Sequence, residues 1–427
     1  MSTLKERLSE LIPIKRDILK NLSKQYGSTV ISQVTVDQAL GGLRGITCLL
    51  CDTSSVELDK GLIIREIPIR HLTDKTPEEI FFLLTSSEKP DNEALEDLRK
   101  ELKLRSEVPS YVYDVLKAMP KDSHPMTMFS TAILSMQKES VFYKEYQKGL
   151  KKEYYWEYIL EDALNILARV TSIAAFIYRY RYDKGDRIPY NPDLDYSSNF
   201  ANMLGIDDPN GDFKDLIRLY LVLHSDHESG NVSAFTTSVV SSALSDPYLA
   251  VSAGLNGLAG PLHGLANQEC LRWILQVYER FNGVPSDDDL RQYAWDTLKS
   301  GQVIPGYGHA VLRVTDPRFT AFLNFGKKYM PDDEIFRIVE KVFEIVPQVL
   351  IEQGKAKDPW PNVDAASGVL LYHYGIKEFD YYTVLFGVSR IMGMLAQTIY
   401  NRAMMLPIIR PKSFTTEWLK RKVAQPE

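Results

Sequence analysis

Helical periodicity runs through almost the whole chain, and strand-like alternation is confined to three short runs. Apolar residues fall on helical spacing across 2–26, 77–85, 91–104, 110–118, 126–136, 146–180, 212–225, 233–245, 248–259, 266–281, 286–301, 316–329, 333–352 and 381–405. Alternation at a period of two is limited to 28–36, 46–52 and 61–69, which suffices only for a small sheet near the N-terminus. There is no repeated β-α-β rhythm and no G-x-G-x-x-G after a strand, so a dinucleotide-binding fold is disfavoured. The expected class is mainly α. A chain of 427 residues can build one large core or two domains.

The most apolar long stretch, 382–400, is about as long as a membrane span, but Arg390 stands in its middle. A charge there is costly in lipid or in a dry core unless something pairs with it. Ser389, Gln397 and Thr398 add polar groups to the same stretch. It reads as a buried helix rather than a span. Its arginine either faces an anionic ligand or pairs with an internal carboxylate, and periodicity does not separate the two. The run 230–260 is rich in Ser, Ala, Thr and Gly, which suits close helix packing in the core or at a subunit interface.

A formal charge of -6 argues against a nucleic-acid partner held by bulk charge, while leaving room for local basic pockets. Three cysteines argue against a disulfide scaffold and for a reducing compartment. Cys48 and Cys51 form a C-x-x-C, but no second Cys/His pair lies at zinc spacing, so they read as two residues of an apolar strand. Residues 2–26 read as an amphipathic helix that mixes acids with bases, unlike a transit peptide.

Chemistry concentrates where titratable groups stand in rigid, charge-poor text. His263 lies in Gly260-Pro261-Leu262-His263-Gly264, and His309 follows Pro305-Gly306-Tyr307-Gly308. Asp364 closes Pro359-Trp360-Pro361-Asn362-Val363-Asp364. Proline and glycine fix unusual backbone shapes, which suits groups held for proton transfer. His224-Ser225-Asp226-His227-Glu228 has H-x-x-H spacing, yet H-E-x-x-H is absent, so structural or substrate-binding histidines are expected rather than a metal pair. Arg313, Arg318, Arg390 and Arg410 sit in apolar or rigid contexts, and arginine is suited to bidentate recognition of carboxylate or phosphate. The inventory fits acid–base chemistry beside a carbonyl, on an acidic substrate, with no metal.

At these residues the chain resembles citrate synthase of the eukaryotic mitochondrial type. The similarity rests on His224-Ser225-Asp226-His227-Glu228, Gly230-Asn231-Val232-Ser233-Ala234 and Gly257 through Glu269. It continues in Pro305 through Arg313, Trp360-Pro361-Asn362-Val363-Asp364, Phe386-Gly387-Val388-Ser389-Arg390 and Arg410-Pro411-Lys412-Ser413. It extends along the full chain and is strongest after about Leu221.

The resemblance implies a two-domain helical fold with a small sheet near the N-terminus. The large domain would be 1–264, completed by 380–427, and a small domain, 265–379, would close over the site. It implies condensation of acetyl-CoA with oxaloacetate and water, without a cofactor, in a homodimer of the mitochondrial matrix. Residue by residue, Asp364 would remove a methyl proton, His263 would donate to the thioester oxygen, and His309 would polarise the ketone. His227, Arg318, Arg390 and Arg410 would hold oxaloacetate, with Arg410 reaching from the other subunit. Arg44, Arg313 and Lys152 would meet CoA phosphates, and the 303–308 loop, with Val303, Gly306 and Gly308, would lie against adenine. Ordered binding, acid first, would follow from domain closure.

Some positions depart from the family pattern. Phe235 and Ala366 stand where a histidine is usual, Ile64-Arg65-Glu66-Ile67 replaces an Arg-Gly-Tyr-type run, and Lys152 replaces an arginine. Lysine keeps the charge but loses the guanidinium fork, so weaker CoA binding is expected. Two alternatives remain open in the sequence. One is a 2-methylcitrate synthase taking propionyl-CoA, since one methylene discriminates weakly. The other is a structural or assembly protein that has kept the fold.

Overall fold

Helix Tyr382–Ala403 forms the axis of the protein, with nearly every residue on every side buried. In the computed structural model, which describes residues 3–309 and 311–424, this helix packs along Tyr155–Arg181, itself buried over most of its length. Helices that are apolar all round belong in the middle of a large helical assembly. Among the described residues no helix is long and apolar enough to cross a membrane.

Around this axis lie helices Pro77–Ser86, Pro125–Ser135, Asp212–Leu223, Val232–Ser242 and Pro247–Leu258. The small residues of 230–260 allow the last two to approach closely. A Cβ on Gly254 would come within 2.0 Å of Thr237 Oγ1 and 2.8 Å of the Ser233 carbonyl oxygen. Helices Ala266–Phe281, Asp287–Lys299, Pro317–Tyr329, Glu334–Gln353 and Asp364–His373 pack chiefly on one another and form a second cluster.

The sheet is small, as expected, and the run 61–69 supplies two of its strands, but the third lies outside the expected runs. β1 (Ser54–Glu57), β2 (Gly61–Ile64) and β3 (Ile67–Pro68) form an antiparallel meander in the order β1-β2-β3. The runs 28–36 and 46–52 are not strands; apart from the short helix Val36–Leu40, which begins at the end of the first run, both are irregular. Their alternation finds no partner edge in this chain, and Val30, Ile31, Val34 and Leu50 are exposed. Cys48 and Cys51 are free thiols outside any strand, the first exposed. The run 61–69 is interrupted at Arg65 and Glu66, whose φ values of 45° and 69° make a tight hairpin turn without glycine. The buried Arg65 guanidinium donates twice to the Leu84 carbonyl, which anchors that turn.

The N-terminal helix Thr3–Tyr26 buries Leu4, Leu8 and Ile12, but Ile18 and Leu22 are exposed. The stretch 146–180 divides into Val141–Gln147, a turn at Lys152–Tyr154, and Tyr155–Arg181.

Candidate active site

Two glycine- and proline-rich loops, far apart in sequence, are zipped together. Tyr307 and Pro361 form an isolated antiparallel bridge. The Gly308 N–H donates to the Trp360 carbonyl at 3.0 Å, the Asn362 N–H to the Gly306 carbonyl at 2.9 Å, and the Asn362 side-chain amide to the Gly308 carbonyl at 3.0 Å. Glycine is required at 306, where φ is 81° and a Cβ would lie 2.9 Å from both Ala365 Cα and Cys270 Sγ. This zipper places His309 and Asp364 on neighbouring strands of chain.

His309 is fixed as well as placed. The Val311 and Leu312 N–H groups both donate to His309 Nδ1 at 3.0 Å. A ring nitrogen that accepts carries no proton, so the neutral imidazole presents Nε2–H. Burial, reinforced by Arg318, lowers the His309 pKa and keeps the ring neutral.

His263 is treated the same way with the nitrogens exchanged. It sits in a single helical turn, Pro261–Gly264, pinned by the Thr383 hydroxyl on the Gly264 carbonyl. The Ser233 N–H, in the first turn of Val232–Ser242, donates to His263 Nε2 at 3.3 Å, and the Ser233 hydroxyl lies 3.0 Å from the same nitrogen. The proton is therefore left on Nδ1. Burial, with Arg390 nearby, lowers this imidazole to about 4.

The His224–Glu228 turn meets the same region. His227 and His309 have ring centroids 5.8 Å apart. Burial first, then the charges of Arg318 and Arg390, hold the His227 pKa well below the ordinary histidine value. His224 is packed flat on Tyr220 and is lowered to about 3, so it is a structural neighbour rather than a proton carrier. Asp226 locks the turn by accepting from Thr53, Ser54 and Gln397.

Two buried arginines face these histidines with different pairing. Arg318 forms a close pair with Asp316 through Nε and Nη2, and although burial raises Asp316, Arg318 outweighs it and the carboxylate stays low. Arg390 donates to the His224 carbonyl at 3.1 Å and to Asn231 Oδ1 at 3.4 Å, and lies 4.8 Å over the Phe386 ring. Among the described residues no carboxylate comes within 4.0 Å of it. Burial lowers it to about 10, so it remains charged at neutral pH. The internal ion pair that the sequence allowed is not formed, and the site holds a cation with no carboxylate partner.

Asp364 opens helix Asp364–His373, its N–H bound to Asn362 Oδ1. Burial lifts its carboxyl to about 6, against the lowering effect of Arg318 and Arg390. A carboxylate of that strength still ionises at neutral pH and is a better base than an exposed one. Ser233, Asn231, Asn362, Asp316 and Phe386 complete the site and were not singled out from sequence. Among the described residues no group of three or more His, Cys, Asp and Glu could hold a metal.

The remaining expected contacts lie further out. Val303 and Gly306 line a surface cavity of about 600 Å³ with Arg272, Trp273 and Gln276. Arg313 is exposed just beyond His309. Arg44 and Lys152 are exposed in irregular or short elements with no described contact to that cavity. Arg410 is also exposed, and the N–H of its neighbour Ile409 donates to the Ser242 hydroxyl, at the far end of helix Val232–Ser242, whose first turn caps His263. Ser233 and Ser242 are nine positions apart on this helix, roughly 13 Å, so the backbone beside Arg410 is anchored about that far from the end that meets His263.

The sequence matches the family described as citrate synthase, C-terminal domain, over residues 42–412. It is 49% identical to "Citrate synthase 4, mitochondrial" of Arabidopsis thaliana, covering 98% of this chain and 90% of that protein. It is 48% identical to "Citrate synthase, mitochondrial" of Saccharomyces cerevisiae, covering 100% and 90%. The chain belongs to the citrate synthase family. The fold agrees: the crystal structure of citrate synthase from Pyrobaculum aerophilum superposes with a TM-score of 0.80 at 26% identity, over 91% of this chain and 95% of that one. A citrate synthase from Thermoplasma acidophilum, solved as a ternary complex with carboxymethyl coenzyme A and oxaloacetate, shares the fold with a TM-score of 0.75 at 22% identity, over 90% of this chain and 96% of that one. In this chain the zipped loops and the capped turn hold a buried carboxyl raised to about 6, Asp364, and two imidazoles kept neutral, His263 and His309.

Proposed function

We propose that this chain condenses acetyl-CoA with oxaloacetate and water to give citrate and free CoA. The observation that carries the reading is the complementary pinning of the two histidines. Backbone N–H groups occupy Nε2 of His263 and Nδ1 of His309, so each neutral ring offers one defined N–H to a substrate oxygen.

The Asp364 carboxylate removes a proton from the acetyl methyl, and the thioester carbonyl becomes an enolate. His263 Nδ1–H donates to that oxygen as charge develops, which is where a fixed donor lowers the barrier most. The new carbon nucleophile attacks the ketone carbon of oxaloacetate. His309 Nε2–H polarises the ketone and delivers its proton to the resulting alkoxide. Water then cleaves the thioester to citrate and CoA, and the proton taken up by Asp364 returns to His309 through water, which restores both groups. No chemistry beyond these side chains is required.

His227, Arg318 and Arg390 bind the oxaloacetate carboxylates and carbonyl. Arg390 is the strongest support for a dianionic ligand, because its buried charge has no carboxylate partner. Arg410 serves the site of a second copy. Exposed apolar residues at Val30, Ile31, Leu40 and Leu43, and at Ile408, Phe414 and Trp418, support burial of both terminal segments on a partner in a homodimer. Arg44, Lys152 and Arg313 take CoA phosphates, while the 303–308 loop takes adenine. The second helical cluster, 265–379, is the small domain, and 1–264 with 380–427 is the large one. The curated relatives are named as mitochondrial enzymes, and this chain works in the mitochondrial matrix.

Thiol release with acetyl-CoA and with propionyl-CoA, each in the presence of oxaloacetate, tests the reading. A higher kcat/KM for acetyl-CoA is expected. A preference for propionyl-CoA would reassign the substrate, and no release with either would return the chain to an assembly role.

A further inference from the structure

The β1–β2 hairpin touches both walls of the site. At its base, the Ser54 hydroxyl donates to Asp226 Oδ2 at 2.8 Å and the Glu228 N–H donates to the Ser54 hydroxyl at 2.8 Å; further along β1, one pair short of the tip, the Val56 N–H donates to Glu228 Oε1 at 2.8 Å. These bonds hold the turn that presents His227. At its tip, the Arg313 N–H donates to the Leu58 carbonyl at 2.9 Å. Gly61, with φ of 78°, lies so close to Pro317 that a Cβ would stand 2.6 Å from its Cδ. Arg313 ends the His309 loop, and Pro317 opens the helix that carries Arg318.

A four-residue strand paired to a four-residue strand is a short, stiff element. Its two ends are bonded to the two groups of residues that must converge on one small acid. We infer that the hairpin is a spacer that sets the separation of His227 from His309 and Arg318, and that Glu228 and Gly61 are positioning residues for oxaloacetate. Glu228 reaches the strand from a residue held at φ of 59°, a backbone state that a non-glycine residue adopts only when its surroundings impose it. Neither residue is asked to touch substrate. Their effect falls on oxaloacetate binding, and through it on domain closure, before it falls on chemistry.

This inference rests on the oxaloacetate reading, so binding and turnover are measured separately. Oxaloacetate affinity is read from ligand-induced thermal stabilisation of the full-length protein and from KM. In Glu228→Ala the Val56 N–H loses its acceptor, and oxaloacetate KM is expected to rise about tenfold with kcat changing less. Glu228→Gln keeps an acceptor oxygen and restores KM to near the wild-type value. Gly61→Ala, which displaces Pro317, gives the same rise in KM and a smaller oxaloacetate-induced shift. If Glu228→Ala folds with wild-type Tm and keeps wild-type KM and thermal shift, the inference is overturned. It is equally overturned if Glu228→Gln is as impaired as Glu228→Ala. If the wild type shows no thermal shift with oxaloacetate, the substrate reading itself fails, and that result is distinct from either outcome in the variants.

Discussion

The backbone N–H of Ser233 donates to Nε2 of His263 at 3.3 Å, and this bond decides which nitrogen of the ring carries the proton. A main-chain donor cannot rotate away or change its protonation. His263 is therefore a permanent Nδ1–H donor, provided the ring stays neutral. Burial and Arg390 keep it so down to about pH 4.

His263→Ala removes that donor from the developing enolate. The expected loss in kcat is about 10²–10³-fold, the usual cost of one fixed oxyanion donor. Oxaloacetate affinity, read by thermal shift, stays near wild type. A large loss of oxaloacetate binding with kcat preserved would assign His263 to the other substrate.

The pH profile follows from Asp364. Burial raises its carboxyl to about 6, and only the ionised form is a base. Below about pH 6, log(kcat/KM) is expected to fall with unit slope, and above it to level off. His263, at about 4, contributes no inflection between pH 5 and 8. The check is kcat/KM for acetyl-CoA at saturating oxaloacetate. An acid limb centred near 4 would show that Asp364 is not the titrating base.

Arg390 gives a case where function and stability separate. Its charge is buried without a carboxylate partner, so the empty site bears a desolvation cost. Arg390→Met is expected to weaken oxaloacetate binding by about 10²-fold or more while leaving Tm at or above the wild-type value. Thermal denaturation with and without oxaloacetate reads both. A sharp fall in Tm without ligand would mean that its bonds to His224 and Asn231 outweigh the cost of the buried charge.

The loops that carry His309 and Asp364 depend on Gly306. In Gly306→Ala the Cβ meets Ala365 and Cys270 at 2.9 Å in a backbone state that L-residues avoid. A stability loss of about 1–3 kcal/mol is expected, with a larger loss of activity than of folded protein. Chemical denaturation together with kcat separates the two.

If Arg410 serves the partner's site, two inactive variants can complement. Asp364→Ala and Arg410→Ala homodimers are each expected to be nearly inactive. After subunit exchange, heterodimers hold one intact site, and a mixture of equal parts approaches about one quarter of wild-type activity. No recovery despite confirmed exchange would place Arg410 outside the partner's site.

Much of the site was legible because rigid residues announce it. The glycines and prolines around His263, His309 and Asp364 mark rigid backbone, but that the 305–309 and 359–364 loops are zipped to each other is seen only in the structure. Arg390 was legible as an anomaly, a charge in an apolar helix, though its pairing was not. The strands were harder. Residues 28–36 and 46–52 alternate like strands but find no edge in a single chain, whereas β1 was overlooked because Thr53 and Ser54 are polar. Their hydroxyls are turned to Asp226, a contact 172 or more positions away that no local pattern reports. The turn at Arg65 and Glu66 lacks the glycine that would mark it, since a buried guanidinium holds it from the side. Ser233 and Asn362 act mainly through backbone and amide bonds, which any residue alphabet under-reports.

The central claim is that Asp364 removes the acetyl proton in a site completed by oxaloacetate. The direct measurement is free-thiol release from acetyl-CoA, with and without oxaloacetate, on wild type and on Asp364→Ala. Release that requires oxaloacetate and falls by several orders of magnitude in the variant is the predicted result. Release that persists in Asp364→Ala, or that proceeds equally without oxaloacetate in the wild type, would contradict the account.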